Sequence, residues 1–400
     1  MSQTGLGFSI DDETPAVTRG DQLSTRGHIR AGADSLRASM TEAGITRLLV
    51  HSDDSALILQ SIAASDELGA DLFIAHTSLS DSQVEAICQE QHIQRVLTAP
   101  AVWRDVPLAT PISQPPGGRI FMMTSGTTGM PKVASHSLQS LIAKARTSQR
   151  KRPEDGGRWL LTYQPTGFAG LQVTLTAALW GGLLITPPER TMGGFHQATR
   201  QWNASHISAT PTFWRSFLMI ADPTELSLQQ ITLGGEAADQ PTLDRIRRAF
   251  PDVRITHTYA STEAGVVYAV HDGLEGFPKK WLDEPPAGVQ LRLSDGFLQI
   301  RTPNMMKGYV SDQAQPLLDD GWLATADLAV IDVEARVYGV SNPVTGQLVA
   351  AEIVLEDGID QKVAKKAILT ACRAGLASYQ IPRVLNFVDE IAVSASNKKG

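Results

Sequence analysis

The spacing of apolar positions changes along the chain. Ile45–Val50, Asp71–Ala75 and Gln94–Leu97 are short apolar runs that predict strands. Between them, Ala56–Leu68 and Asp81–Gln91 carry helical spacing, with Ser80 and Asp81 as candidate caps. Strand, helix, strand, helix, strand predicts a largely parallel sheet covered by helices. Ile120–Met123 reads as a further strand. Beyond a polar loop, the pattern predicts a helix over Leu138–Arg146, a strand over Trp159–Thr162, a helix over Gly170–Trp180 and strands over Leu183–Thr186 and Gln230–Leu233. This rhythm runs to about residue 270. From Gly273 to Val330 short alternating runs such as Val289–Leu293 and Phe297–Arg301 are broken by turn residues, which predicts a smaller β-rich subdomain. From about Ala335 the order is strand Leu348–Leu355, helix Gln361–Ala377, strand Val384–Val388. The expected architecture is α/β: a large N-terminal domain (1–329) of stacked mixed α/β subdomains plus a β-rich subdomain, then a short or missing hinge (330–336) and a small α+β C-terminal domain (337–400).

Composition narrows the function classes. A chain of 400 residues, 42% hydrophobic and 19% charged, is a globular protein able to bury a large core. A net charge of −7 argues against a broad nucleic-acid-binding surface. The longest apolar run, Leu171–Ile185, is too short to span a bilayer and contains Gln172, Thr174 and Thr176. The N-terminal stretch lacks the basic start and apolar core of a signal peptide, so a cytoplasmic protein is expected. Cys88 and Cys372 form no metal or redox motif and read as two buried thiols.

The chemistry concentrates in Thr124–Lys132, TSGTTGMPK, directly after the apolar run Ile120–Met123. Glycines Gly126 and Gly129 let the backbone turn and leave amides free to face an anion. Thr124, Ser125, Thr127 and Thr128 add hydroxyl donors, and Lys132 a mobile charge. The loop is not a Walker loop, because Val133 stands where a magnesium-binding Ser or Thr is required. Read alone, it is equally a polar loop with turn glycines. Three later stretches add weight: Gly234-Gly235-Glu236-Ala237, then Thr258 to Glu263 (TYASTE), then Gly321 to Asp327 (GWLATAD). Tyr259 offers a flat face for a purine, Thr262 a hydroxyl for a phosphate oxygen, Glu263 a hard oxygen ligand for Mg²⁺, and Asp327 an acceptor for ribose hydroxyls. Each has an ordinary alternative: Tyr259 as a core residue, Asp327 as a turn residue. Together they describe an ATP site.

These motifs resemble the adenylate-forming superfamily of acyl-CoA synthetases, adenylation domains and luciferases. TSGTTGMPK matches the superfamily's phosphate loop, and its Tyr-x-x-Thr-Glu is present as Tyr259, Thr262 and Glu263. Thr325-Ala326-Asp327 stands for Thr-Gly-Asp, preceded by the similar segment Asn304–Tyr309. Near the end, Lys398 falls at the position of the terminal lysine, with Asn397 replacing glycine. The resemblance implies that a carboxylate attacks the α-phosphorus of ATP, and that a thiol then displaces AMP. It implies ATP-binding roles for Thr124, Ser125, Gly126, Thr127, Thr128, Gly129, Lys132, Gly235, Glu236, Ala237, Tyr259, Thr262 and Asp327. It also implies Mg²⁺ on Glu263, catalytic roles for Lys398, Thr262, Glu263 and Lys132, and CoA as co-substrate.

Tyr163–Gly170 resembles the stretch lining the acyl pocket. Amino-acid-activating relatives carry Asp after the matching Phe; Ala169 stands here and cannot pair an ammonium. A fatty, short-chain or aryl acid without an α-amino group is therefore expected, against Phe168, Ala169, Gly170, Gly235 and Ala260. Core packing is the alternative for Phe168. The stretch from Ala329 to Val340 joins two superfamily regions that normally lie far apart, so the hinge has no clear counterpart. Two alternatives to a CoA ligase follow. One loads a separate acyl carrier protein, acting in trans because no carrier domain follows Gly400. The other is a non-catalytic nucleotide- or acyl-binding member.

Overall fold

A computed structural model describes residues 11–106, 116–124, 130–148, 152–294, 297–310, 316–328, 335–342, 346–355, 360–375 and 381–388. The chain divides into two compact units, Met1–Asp327 and Leu328–Gly400. The α/β class expected from the sequence is the class observed.

The larger unit opens with a hairpin, β1 (Pro15–Arg19) and β2 (Gln22–Thr25), and helix α1 (Arg26–Glu42). It continues through β3 (Arg47–His51), α2 (Ser55–Leu68), β4 (Asp71–Ala75), α3 (Asp81–Glu90), β5 (Arg95–Ala99), β6 (Val102–Asp105), β7 (Arg119–Thr124) and β8 (Lys132–Ser137). Strands β3 to β8 form a six-stranded sheet in the order β6-β5-β3-β4-β7-β8, parallel through its middle. Asp54 caps α2 by accepting the amide of Ala56 at 2.8 Å, and Gly69 ends it with φ +63°. Ser80 caps α3 in a capping box with Gln83, as the Ser80-Asp81 step suggested.

A second run adds α4 (Leu138–Thr147), β9 (Arg158–Leu161), α5 (Phe168–Trp180), β10 (Leu183–Thr186), α6 (Met192–Gln201), β11 (His206–Ala209), α7 (Pro211–Phe217), β12 (Gln230–Leu233), α8 (Gln240–Ala249), β13 (Arg254–Ser261) and β14 (Gly265–Val270). Its strands join the N-terminal hairpin in an eight-stranded sheet, β14-β13-β12-β11-β9-β10-β1-β2. Alternation along each strand sets the layers. Leu48 and Val50 face one core with Ile58 of α2 and Leu171 of α5, while Leu49 faces the other way toward Val84 and Ile87 of α3. Leu160, Ile207, Ile231 and Ile255 face Phe213, Phe217 and Ile246 on the outer side of the larger sheet. Strands buried on both faces explain the continuous apolar runs. Burying each such side chain contributes about 1.5–3 kcal/mol.

Arg26 shows how the N-terminal hairpin is fixed. Its buried guanidinium donates to the carbonyls of Ala178 at 2.8 Å and Gly182 at 2.7 Å, at the C-terminal end of α5. The rest of the larger unit is a small three-stranded sheet of β15 (Gln290–Ser294), β16 (Phe297–Arg301) and β17 (Leu323–Leu328), with β15 and β16 antiparallel. The smaller unit pairs β18 (Ala335–Asn342), β19 (Gly346–Val354) and β20 (Val384–Val388), with helix α9 (Gln361–Gly375). Ala335 and Arg336, expected in the hinge, begin β18. Of the two thiols, Cys88 is buried as expected, and burial pushes it up to about 11; Cys372 on α9 is only half-buried. No helix of the described residues is long and apolar enough to cross a membrane.

Candidate functional site

Thr124 ends β7 and Lys132 begins β8, and the two pair directly across the antiparallel ladder. β7 and β8 are therefore antiparallel neighbours, and Lys132 is strand rather than loop. The alternation of KVASHS, with only Val133 and Ala134 apolar, hid this strand. Ser125, Gly126, Thr127, Thr128, Gly129 and Lys398 lie outside the described residues.

A third segment closes on β8. The amide of Ser135 donates to Gly308 at 3.0 Å, that of Lys307 to Ser135 at 2.7 Å, and that of Val310 to Val133 at 3.0 Å. This pairing sets the Tyr309 ring 5.1 Å from the Lys132 ammonium. The Tyr309 hydroxyl donates to Oε1 of Glu263. Burial first, and the Glu263 carboxylate second, push the Tyr309 phenol far above its ordinary range, so it stays protonated and a donor. Tyr309 thus joins Lys132 and Glu263 into one cluster. The sequence reading used it only as part of a resembling segment; the signal is its place in NMMKGY.

Glu263 and Thr262 lie between β13 and β14. The Glu263 carbonyl accepts the Met306 amide at 2.9 Å. The Thr262 carbonyl lies 2.8 Å from Nε2 of His136, a fully buried residue of β8. Burial holds His136 below its ordinary range against the raising effect of that carbonyl, so a neutral ring donates to Thr262. His136 ties the strand carrying Lys132 to the turn carrying Glu263, a second role the sequence reading missed.

Tyr259 stacks on Tyr268, with ring centroids 5.4 Å apart and planes at 20°. One face of the ring is thus covered by Tyr268. Its hydroxyl donates to Oδ2 of exposed Asp327, bringing together two residues far apart in sequence. Thr325 lies beside this pair: its hydroxyl accepts the Asp327 amide at 3.2 Å and donates to the Leu298 carbonyl at 2.6 Å. Gly235, at φ +82°, and Ala237 are exposed after β12. Glu236 is engaged elsewhere: its carboxylate accepts the Thr212 amide at 3.1 Å and hydroxyl at 2.7 Å, at the start of α7.

Between α5 and the eight-stranded sheet lies a cavity of about 260 Å³. Phe168, Ala169, Gly235 and Ala260 line it. Gly170 does not: it is buried in the first turn of α5, where a Cβ would lie 1.9 Å from the Gln164 carbonyl oxygen. Its glycine serves close packing. Tyr163 shapes the cavity mouth by donating to the Gly234 carbonyl at 3.0 Å.

The family model described as AMP-binding enzyme matches residues 29–310, and that of its C-terminal domain matches 333–398. A 2-succinylbenzoate–CoA ligase of Bacillus pumilus is 24% identical over 334 residues, 70% of this chain and 66% of that one. A long-chain-fatty-acid–CoA ligase of Yersinia pestis is 25% identical over 340 residues, 69% of this chain and 59% of that one. This chain therefore matches less than two-thirds of either relative's length. Among solved structures, the o-succinylbenzoate CoA synthetase of Bacillus subtilis, in complex with its acyl-adenylate intermediate, shares the fold. Its TM-score is 0.68 at 18% identity, covering 100% of this chain and 96% of that one.

Proposed function

The chain belongs to the AMP-binding enzyme family, and we propose that it activates a carboxylic acid with ATP and passes the acyl group to the thiol of coenzyme A. The observation that carries this reading is the cluster of Lys132, Tyr309 and Glu263, with Tyr259, paired to Asp327, and the cavity-lining Ala260 both borne by the strand leading into it. Those are the separate requirements of the reaction: charge for a triphosphate, a flat face and carboxylate for a nucleoside, and a pocket for an acid.

In the first step a carboxylate oxygen of the acid bonds to the α-phosphorus, and the bond to the bridging oxygen breaks. Pyrophosphate leaves with that electron pair, and no proton moves because the nucleophile is already ionised. Two anions must meet, so the site has to supply positive charge and fixed donors. Lys132 faces the β and γ phosphates together with the amides and hydroxyls of Thr124–Gly129. Thr262 holds an α-phosphate oxygen, Asp327 accepts the ribose hydroxyls, and Tyr259 offers its ring to the purine. Lys398 takes the charge-neutralising role that the resemblance implies for it. Glu263 would hold Mg²⁺. No group of three His, Cys, Asp or Glu able to bind a metal occurs among the described residues; one carboxylate fits an ion that takes its other oxygens from phosphates and water. That ion supplies positive charge against the triphosphate. Tyr309 occupies one Glu263 oxygen and leaves the other for it. In the second step the thiol sulfur bonds to the acyl carbon, AMP leaves with the acyl–oxygen electron pair, and the thiol proton is released.

The acid lacks an α-amino group, since no carboxylate among the described residues lines the cavity to pair an ammonium. Coenzyme A as acceptor is supported by the names of both ligase relatives. The free thiols Cys88 and Cys372 suit a reducing cytoplasm. Product analysis tests the proposal. Incubation with ATP, Mg²⁺, CoA and a panel of acids is expected to yield AMP, pyrophosphate and an acyl-CoA by mass spectrometry. ADP and phosphate, or no acid-dependent product, would contradict it. Acyl-AMP without acyl-CoA would move the acceptor to a carrier protein.

A further inference from the structure

Strand β13 sends its side chains two ways. Thr256, Thr258 and Ala260 line the acyl cavity, while Tyr259 stacks on Tyr268, its cross-strand partner on β14. The register shifts just after Tyr259, the kind of bulge that re-aims a side chain beside a site. Tyr268 is buried and packs against Phe277 at 5.1 Å and Trp281 at 5.4 Å, so the ring under Tyr259 is fixed.

From that fixed ring the Tyr259 phenol reaches the small sheet and donates to Oδ2 of Asp327 on β17. Asp327 is exposed, and an exposed carboxylate ordinarily samples several rotamers. Here it is held from two directions. Its amide donates to the Thr325 hydroxyl at 3.2 Å, which donates to the Leu298 carbonyl at 2.6 Å, and its carboxylate accepts from Tyr259. Burial first, and contact with Asp327 second, keep the phenol protonated and therefore a donor.

An acceptor fixed beforehand spares the ordering cost that a sugar would otherwise have to offset at binding. A sugar without hydroxyls gains nothing from it and leaves the carboxylate facing carbon. We propose that the Tyr259 hydroxyl is a specificity-determining group: by holding Asp327 in place, it makes the site prefer a ribonucleotide to its deoxy counterpart. Tyr259 acts on the sugar through Asp327, so in this role it is a positioning residue. The assignment rests on the ATP-binding reading of the same site and deepens it.

The full chain is titrated calorimetrically with Mg²⁺ and either ATP or 2′,3′-dideoxyATP, without acid so that nothing turns over. ATP is expected to bind about tenfold more tightly, the size of one hydrogen bond to a charged group. In Tyr259→Phe, which keeps the ring, that preference is expected to fall to about threefold or less, with dideoxyATP affinity within about twofold of the unmodified value. Asp327→Ala should abolish the preference, and Tyr259→Phe in that background should change nothing further. Equal binding of the two nucleotides by the unmodified protein overturns the assignment, and that comparison holds even should a variant misfold. So does a preference that survives either variant, or an equal loss of both affinities in Tyr259→Phe, the mark of a merely structural role. Ribonucleotide-selective binding without acid-dependent ATP–pyrophosphate exchange would remove the adenylation reading and leave this assignment standing; exchange that runs equally well on dideoxyATP would do the reverse.

Discussion

The phosphate side and the acyl side of this site are built by different physics. On the phosphate side, Lys132, Tyr309 and Glu263 come from three segments remote in sequence and are held by hydrogen bonds, including the buried His136 contact with Thr262. The acyl side is a space between helices α4 and α5 and one sheet, held open by packing around Gly170 and Tyr163. Damage to the first should appear as lost rate in a folded protein, and damage to the second as altered stability or acid selectivity.

The sharpest break of that contrast is Lys132→Ala. Removing one preorganised charge is expected to lower acid-dependent exchange about 10²–10³-fold, with the melting temperature nearly unchanged. Unfolding of the variant would mean that Lys132 serves the fold instead. Beneath the cavity floor, His206 lies 4.4 Å from the Trp159 ring, and burial pushes it down to about 4. Its folded pKa is below its unfolded value, so the unfolded chain binds more protons as pH falls from about 6.5 to about 4. Urea unfolding should show on the order of 3 kcal/mol lost across that window, fully present above it, and His206→Asn should flatten the profile.

Gly170→Ala inserts a methyl against the Gln164 carbonyl. Denaturation should report a loss of about 1–3 kcal/mol, with residual activity following the folded fraction. A weaker acid KM at full stability would return Gly170 to the pocket wall. Smallest is Tyr309→Phe, which frees one Glu263 oxygen. Steady-state kinetics should show kcat down about tenfold, the acid KM within about twofold, and a higher Mg²⁺ requirement. An unchanged Mg²⁺ requirement would separate Tyr309 from the metal carboxylate.

What the sequence made legible follows the same division. Local signals gave β4 its bounds at Asp71–Ala75, α3 its Ser80 cap, and the strand–helix rhythm that became the eight-stranded sheet. Tyr259 and Ala260, named from the TYASTE motif, both lie on β13, and both meet neighbours that a single strand brings to them. Long-range pairing left no such trace. The N-terminal strand β1 pairs with β10, and Arg26 reaches Gly182 across 156 residues, while a short run such as PAVTR carries no marker of its distant partner. Tyr309 was missed for the same reason, since its partners are set by a backbone ladder onto β8. Glu236 shows the opposite error: its motif was read correctly as a motif, but its carboxylate is committed to the start of α7.

Acid-dependent ATP–pyrophosphate exchange, measured in the unmodified protein and in Glu263→Gln, tests the central claim most directly. The amide keeps an acceptor for Tyr309 and removes the charge that would hold Mg²⁺. The expected result is exchange that requires both an acid and Mg²⁺ and falls about a hundredfold in the variant. A folded protein that binds ATP yet shows no acid-dependent exchange, or a variant that exchanges as fast as the unmodified protein, would contradict the account.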